Sequence, residues 1–367
     1  MRPHAYKAAI PDYLAGIQHI GDTPVVTDLS LNENRLGSSK LAREAYARAV
    51  EDLWRYPDGS YAQLKSAIGK HFRVPAEQIA CGAGADELIT LLTRIFVHSG
   101  EEVLFPEFSF MMFSLNALRV GAITVRTRND DYQPSIEDLL GHITSRTRLI
   151  FLASPNNPTG AYLSRTELAT LIQQIPAHIP FVLDSVYAEY MIDGPHYSDG
   201  FEFLHQASNL VILRSFSKAF GLASLRIGWC FAAPEIIRRI DQFRGPYNVS
   251  GPAAAAAIAA IDDEEHVSTS RKHNEIWSQR VANCLRQLGI RCGPIAGNFI
   301  MAEFQPSSVA DRAYSWLREC GVLTRRLIDY ELPRCLRITI GSDLDNQLLV
   351  KSINEFVTLE TTRGRSE

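Results

Sequence analysis

The sequence has no uninterrupted apolar run of the roughly 18 residues that a membrane helix needs, and its first residues show no signal-peptide pattern. Its ten histidines include no HxxxH pair, so no metal site is predicted. With 37 Lys and Arg against 41 Asp and Glu, it also lacks the basic excess that is typical of nucleic-acid binders. We therefore expect a protein that binds neither membranes nor nucleic acids.

The six cysteines include no CxxC pair, and their spacing indicates neither a zinc site nor a disulfide framework. Reduced, scattered cysteines are typical of the cytoplasm, which is the expected location. The chain of 367 residues is 46% hydrophobic and 21% charged, which is close to the average for globular proteins. That length allows a large domain and a smaller one, each with its own core.

The middle of the chain alternates short apolar runs with amphipathic stretches, which predicts an α/β fold with a mostly parallel sheet between helices. Predicted strands cover residues 102–105, 123–126, 149–153, 180–184, 210–214 and 226–232. Helices are predicted at 86–96 and at 164–175, where Ser164 and Glu167 form a capping box.

Further along, helices are predicted at 253–261 and 273–288, separated by an acidic break at 262–265, and strands at 299–304 and 336–340. We divide the chain into an N-terminal segment (1–35) that contacts the small domain or a partner subunit, a large domain (36–262) and a small α+β domain (263–367).

Polar side chains follow several predicted strands, at the sheet edge where α/β proteins bind ligands. Lys218 follows the strand 210–214 and could form an imine with an aldehyde cofactor. Ser215, Ser217 and the later Arg226 could hold a phosphate. Taken alone, Lys218 could equally be an ordinary surface lysine.

Asp184 ends a very apolar strand, where a buried carboxylate needs a cationic partner such as a pyridinium nitrogen. Tyr187 lies three residues on and could reach the same ligand. Asn157 is fixed by prolines on both sides, and the small residues Gly84 and Ala85 precede a helix whose N-terminus could receive a phosphate. A turn-capping aspartate, a plain turn and an ordinary glycine loop are the alternatives for these segments.

Taken in order, these motifs resemble those of the class I and II, fold-type I aminotransferases, which use pyridoxal 5′-phosphate (PLP). The string from Ser217 to Gly228 is similar to the signature around the lysine of that family, and the resemblance runs from about residue 28 to residue 357. It implies a seven-stranded-type sheet in the large domain, a Schiff base on Lys218, and a homodimer with small-molecule amino donors and 2-oxo acids as substrates.

The resemblance also implies roles for individual residues. Asp184 would pair with the ring nitrogen, Tyr187 and Asn157 would bind the phenolic oxygen, and Phe108 would stack on the ring. The phosphate would be held by Gly84, Ala85, Asp86, Ser215, Ser217, Arg226 and a neighbouring subunit's Tyr56. The substrate would be bound by Arg337, Tyr13, Asn34 and Tyr247, and by either Arg325 or its neighbour Arg326.

Within the family, the segments Leu31–Asn34 and Arg55–Asp58 most resemble the histidinol-phosphate aminotransferases. Aromatic or broad-range aminotransferases and a PLP-dependent decarboxylase remain alternatives, because they share these pieces. The family's usual stacking tyrosine is replaced by Phe108, which leaves the substrate open.

Overall fold

A computed structural model describes residues 27–191, 194 and 196–363. The strands of this part of the chain are β1 Thr27–Asp28, β2 Ile79–Gly82, β3 Glu102–Pro106, β4 Ile123–Thr127, β5 Asn129–Asp130, β6 Gln133–Pro134, β7 Thr147–Ala153, β8 Phe181–Asp184, β9 Leu210–Ser215, β10 Gly228–Phe231, β11 Arg291–Cys292, β12 Phe299–Glu303, β13 Val322–Leu323, β14 Arg325–Leu327 and β15 Leu332–Thr339.

The α-helices of the same part are α1 Lys40–Ala49, α2 Ala62–Phe72, α3 Ala85–Phe96, α4 Met111–Arg119, α5 Ile136–Gly141, α6 Arg165–Gln174, α7 Pro234–Phe243, α8 Gly251–Ile261, α9 Glu264–Gln287, α10 Ser307–Glu319 and α11 Asp343–Arg363. None of these helices is long and apolar enough to cross a membrane.

The central sheet has seven strands in the order β2-β10-β9-β8-β7-β3-β4, and β10 alone among them runs antiparallel to its neighbours. Successive side chains of β9 enter different cores, Leu210 and Ile212 on one face and Val211 and Leu213 on the other. Helices cover both faces, which explains why the inner strands contain nearly continuous apolar runs, such as residues 149–153 and 210–213. The predicted fold class of the large domain is confirmed.

A second sheet, in the order β11-β12-β15-β14, lies in the C-terminal part and packs against α9, α10 and α11. Strand β1 pairs in parallel with β13, so the start of the described chain joins this part, and Leu29 enters its core. The proposed domain bounds stay a prediction.

Several predicted elements begin elsewhere, and for two of them the backbone and the helix cap give the reason. The long helix α9 starts at Glu264 and not at residue 273, because Asp263 caps it and Glu264 and Glu265 lie in its first turn, where carboxylates are favourable. The supposed acidic break is therefore the start of this helix. Strand β10 starts at Gly228, since Arg226 has a left-handed backbone with φ 49°.

Candidate active site

The sheet register brings the predicted site segments to one edge. Ala153, at the end of β7, lies opposite Asp184 at the end of β8, and Asp184 lies opposite Leu213 near the end of β9. Gly228, at the start of the antiparallel β10, lies opposite both Ser215 and Gly82. Residues that follow these strands therefore meet in one place.

A cavity of about 260 Å³ opens at this edge. The residues that line it are Leu31, Glu33, Ala85, Asp86, Phe110, Ala153, Pro155, Asn157, Asp184, Val186, Tyr187, Ser215, Ser217, Lys218, Ala223 and Arg226. Nine of the residues predicted for the cofactor are therefore brought together, with one amine, two carboxylates and several hydrogen-bond donors among them.

Asp184 lines the cavity and is 4% exposed. Its Oδ1 accepts a hydrogen bond of 3.2 Å from the backbone N–H of Val186. Burial raises the pKa of this carboxyl to about 7, and nearby Asp86 adds to the rise, while Lys218 opposes it. A carboxyl in this state gains strongly from a cationic ligand, because a positive charge would repay its desolvation.

One end of the cavity is suited to a phosphate. Ala85 begins α3, and the preceding Gly84, at φ 82°, gives that helix N-terminus no side-chain cap. Any β-carbon at Gly84 would collide with the guanidinium of Arg226. Arg226 in turn donates to Ser217 Oγ at 3.2 Å and pairs with Asp86 at 3.4 Å. The guanidinium of Arg226 and the hydroxyl of Ser217 thus lie beside the N-terminus of α3, whose first N–H groups have no acceptor within the helix.

Lys218 and Tyr187 lie on the other side of the cavity. The Lys218 Nζ is 3.3 Å from the backbone oxygen of Asn32 and 5.3 Å from the centre of the Tyr187 ring. Tyr187 is buried, packs edge-on against Phe299, and its hydroxyl accepts a hydrogen bond of 2.9 Å from Asn32 Nδ2. The amine and the phenol therefore share one neighbour, Asn32.

Arg337 connects the cavity to the second sheet. It is 7% exposed, and its guanidinium donates to Asn157 Oδ1 and to the backbone oxygen of Ser30. Arg325 lies directly opposite Arg337 in the antiparallel pair β14–β15, so both side chains point to the same face of the sheet. Arg326 alternates to the other face, where it pairs with Asp311. The register thus distinguishes Arg325 from Arg326.

Phe108 is not among the residues that line the cavity. It has a left-handed backbone with φ 53° and packs edge-on against Tyr132, at 6.1 Å between ring centres. Phe110, two residues further on, lines the cavity instead. The stacking role expected for Phe108 stays a prediction, and within the described chain Phe110 and Tyr187 are the aromatic residues that line the cavity.

Three of the other predicted residues also lie away from the cavity wall. Tyr56 is 82% exposed and stacks on Tyr247, which is 47% exposed, at 4.7 Å between ring centres. Asn34 donates to the backbone oxygen of Ala219 and to Ser270 Oγ, and so ties its segment to the loop after Lys218. Tyr13 lies outside the described residues.

Sequence reasoning missed Asn32 and Glu33, although it quoted the segment that contains them. Asn32 is 1% exposed and contacts both Tyr187 and Lys218, and Glu33 lines the cavity. A buried asparagine that follows a short strand carries no local signal of such contacts. Only the fold shows that the segment returns to the edge of the large sheet.

Comparison with known proteins supports these observations. The family model "Aminotransferase class I and II" matches residues 24–353. A histidinol-phosphate aminotransferase of Zymomonas mobilis is 39% identical over 347 residues, 94% of each chain. One of Paramagnetospirillum magneticum is 37% identical over 350 residues, 95% of this chain and 96% of the relative.

Among solved structures, the histidinol-phosphate aminotransferase of Sinorhizobium meliloti in complex with pyridoxal-5′-phosphate has a TM-score of 0.85 and 26% identity, and the match covers 91% of this chain and 92% of that one. The aspartate aminotransferase of Thermus thermophilus with maleate has a TM-score of 0.80 at 21% identity and covers 90% of this chain and 91% of that one, which shows a shared fold. Since the family match spans almost all of the described residues, this protein belongs to the class I and II aminotransferases and is a PLP-dependent transferase.

Proposed function

We propose that the enzyme transfers an amino group between histidinol phosphate and 2-oxoglutarate, in histidine biosynthesis. The name shared by its relatives at 36–39% identity supports this substrate. The observation that carries the proposal is the pair Arg325 and Arg337 on one face of the second sheet, where Arg337 contacts Asn157 on the wall of a cavity that contains a lysine and a carboxyl with a raised pKa. Two neighbouring arginines suit a phosphate or carboxylate.

The residues around the cavity suit PLP. Asp184 would hold the ring nitrogen in its charged form, since burial leaves this carboxyl in need of a cation. When bound, PLP supplies an electron sink for the bond that breaks at the substrate carbon. Lys218 Nζ would hold the resting cofactor covalently and then carry the proton between the two carbons of the substrate–cofactor pair.

The other end of the cofactor would be held by groups that already point to one place. The N-terminus of α3 at Ala85, with Ser215, Ser217 and Arg226, would bind the phosphate. Asn157 and Tyr187 would donate to the phenolic oxygen.

The arginine pair explains how one site can serve two amino donors. Arg325 pairs with Asp329 at 3.0 Å, and an anionic substrate would join Arg325 and Arg337 on the same face of the sheet. Histidinol phosphate offers a phosphate, and glutamate offers a carboxylate, to the same face. Arg337, which contacts Asn157, would hold the group nearer to the cofactor.

A substrate panel tests this assignment. Purified enzyme is offered histidinol phosphate, phenylalanine, tyrosine and threonine phosphate, each with 2-oxoglutarate, and kcat/KM is measured. We expect histidinol phosphate to exceed phenylalanine by at least about tenfold, or about 1.4 kcal/mol. A tenfold preference for phenylalanine or tyrosine would instead show an aromatic aminotransferase, and release of carbon dioxide from threonine phosphate would show a decarboxylase.

The variant Arg325→Gln tests whether Arg325 binds the substrate phosphate. Loss of a charged hydrogen bond to phosphate should lower kcat/KM for histidinol phosphate by about 10-fold to 100-fold. The same change should affect phenylalanine less, because phenylalanine has no phosphate and its carboxylate would be held by Arg337. Arg326→Gln is the matched control, since Arg326 points to the other face, and equal effects of the two changes would contradict the role of Arg325.

We also propose a cytoplasmic homodimer with shared active sites. Supporting this, exposed apolar side chains cluster in and after α1, at Leu41, Tyr46, Val50, Leu53 and Trp54, next to the stacked pair of Tyr56 and Tyr247. Tyr56 lies away from the cavity of its own chain, which fits a residue that serves a neighbour.

Subunit mixing tests the shared site. Lys218→Ala and Tyr56→Ala homodimers should each be impaired. In a mixed dimer, one site carries both defects and the other carries neither. Random exchange should therefore restore about a quarter of the wild-type activity. No recovery after demonstrated exchange would show that Tyr56 acts within its own chain, and an unimpaired Tyr56→Ala homodimer would show that Tyr56 has no role.

A further inference from the structure

Asn32 combines burial with a conformation that most residues avoid. It is 1% exposed, and its φ of 55° lies in the left-handed region. Asparagine tolerates this region better than most residues, but the left-handed backbone still has a small cost in conformational energy. The conformation places both the backbone oxygen and the side-chain amide of Asn32 beside the cavity.

The orientation of the Asn32 amide is fixed by Thr339. The backbone N–H of Asn32 donates to Thr339 Oγ1 at 3.0 Å, so this oxygen already accepts one hydrogen bond. The Thr339 hydroxyl then donates its single hydrogen to Asn32 Oδ1 at 3.3 Å. With its oxygen held there, Asn32 turns its NH₂ group towards the Tyr187 hydroxyl, 2.9 Å away.

This orientation decides what Tyr187 can do. A phenol has one hydrogen. Because Tyr187 accepts from Asn32, that hydrogen is left to donate into the cavity. Asn157 follows the same logic, since its oxygen accepts from Arg337 and its NH₂ group is left as a donor. Two side chains on the cavity wall are thus held as donors by neighbours behind them.

The backbone oxygen of Asn32 also accepts hydrogen bonds from two other side chains. It accepts from Lys218 Nζ at 3.3 Å and from Asn298 Nδ2 at 3.1 Å. The residue that orients the phenol therefore also locates the amine, and Asn298 holds the backbone oxygen in place.

We propose that Asn32 is a positioning residue that keeps Tyr187 as a hydrogen-bond donor to the phenolic oxygen of the cofactor. This inference rests on the proposed PLP site and goes beyond it, because it assigns the direction of one hydrogen bond to a residue that need not touch the cofactor. Replacing the amide by a carboxylate should reverse that direction, since a carboxylate can only accept.

The test compares wild type, Tyr187→Phe, Asn32→Asp and Asn32→Gly as holoenzymes. The readout is the pH midpoint of the visible absorbance of the bound cofactor, which rises when the phenolic oxygen loses a donor. Thermal unfolding of each apoprotein shows that the variants fold. Aspartate and glycine both tolerate a left-handed backbone, so neither change should prevent folding.

We expect Tyr187→Phe to raise the midpoint by about one pH unit, a tenfold change in proton affinity. Asn32→Asp should raise it at least as far, since the carboxylate takes the Tyr187 hydrogen. Asn32→Gly should raise it by less than half as much, because Tyr187 can still donate. The charged groups that face the cofactor, Asp184, Asp86, Glu33, Arg226 and Arg337, stay the same throughout.

The double variant separates the hydrogen-bond effect from the added charge. In the Tyr187→Phe background, Asn32→Asp adds its charge but has no phenol hydrogen to capture, so its shift should fall to half or less of its shift in wild type. An equal shift in both backgrounds would overturn the inference while leaving the PLP site intact. If Tyr187→Phe itself leaves the midpoint unchanged, both the inference and the proposed role of Tyr187 fail.

Discussion

The pKa values of two buried aspartates are shifted in opposite directions. Asp184, at the cofactor cavity, is 4% exposed, and burial raises its pKa to about 7. Asp345, in the first turn of α11, is 9% exposed. Burial alone would raise its pKa too, but hydrogen bonds from Arg35, Thr27 and Ser342 outweigh burial and lower the pKa to about 2.

The difference lies in the partners. Asp345 accepts from Arg35 Nε at 3.1 Å and from both the backbone N–H and the hydroxyl of Ser342, while Ser342 accepts in return from the backbone N–H of Asp345. Within the described chain, Asp184 accepts a hydrogen bond from Val186. A carboxylate with its partners supplied by the fold is structural, whereas one left short of partners in a cavity is kept for a ligand.

Replacements of Asp184 and Asp345 should differ most in their effect on enzyme activity. Asp184→Asn leaves the shape of the site but cannot carry the charge that pairs with the ring nitrogen, so kcat/KM should fall by about 10³-fold. Asp345→Asn should leave kcat/KM nearly unchanged in protein that is folded and loaded with cofactor. Steady-state kinetics of both variants measures this, and similar losses would show that Asp184 has no special role.

Although Asp184→Asn should lower activity, it should raise the stability of the apoprotein. Since the folded-state pKa of Asp184 is raised, the folded chain keeps a proton there that the unfolded chain releases, and the free energy of unfolding decreases as pH rises from about 4 to about 7. Asp184→Asn removes this cost and should stabilise the apoprotein at pH 8 by up to about 4 kcal/mol. Urea unfolding at pH 8 and near pH 4 checks it, and the gain should vanish near pH 4.

Replacing Asp345 should have a smaller effect on stability, and this effect should be destabilising. Because its folded-state pKa is depressed, it contributes stability above its ordinary pKa of 3.8 that is lost as pH falls through about 2. Asp345→Asn should therefore lower the free energy of unfolding at pH 7 by about 2 kcal/mol. The loss should shrink in urea titrations taken stepwise below pH 4, and a loss independent of pH would show that packing and not charge is responsible.

Local patterns were enough to predict the frame of the site. The strand ends at Ala153, Asp184 and Ser215 lie within one residue of the predicted positions, because apolar runs and the polar residues that end them are local features. The capping box of Ser164 and Glu167 is also confirmed. The order of motifs along the chain then predicted the family.

Contacts between distant segments could not be predicted. Asn32 depends on partners 155, 186 and 307 positions away, so no local pattern reveals its role. The opposed pair of Arg325 and Arg337 depends on strand register, which a shift of one residue would reverse. Phe110, which lines the cavity, lies two residues beyond Phe108, and no local pattern distinguished the two rings.

The covalent link between the cofactor and Lys218 can be tested directly by chemical reduction. Borohydride reduction of the holoenzyme converts an imine to a stable amine, and peptide mass spectrometry then locates the attached pyridoxyl group. We expect a single modified peptide that carries the group on Lys218, and none in Lys218→Ala. A pyridoxyl group on another lysine, or none on the wild-type protein, would contradict it.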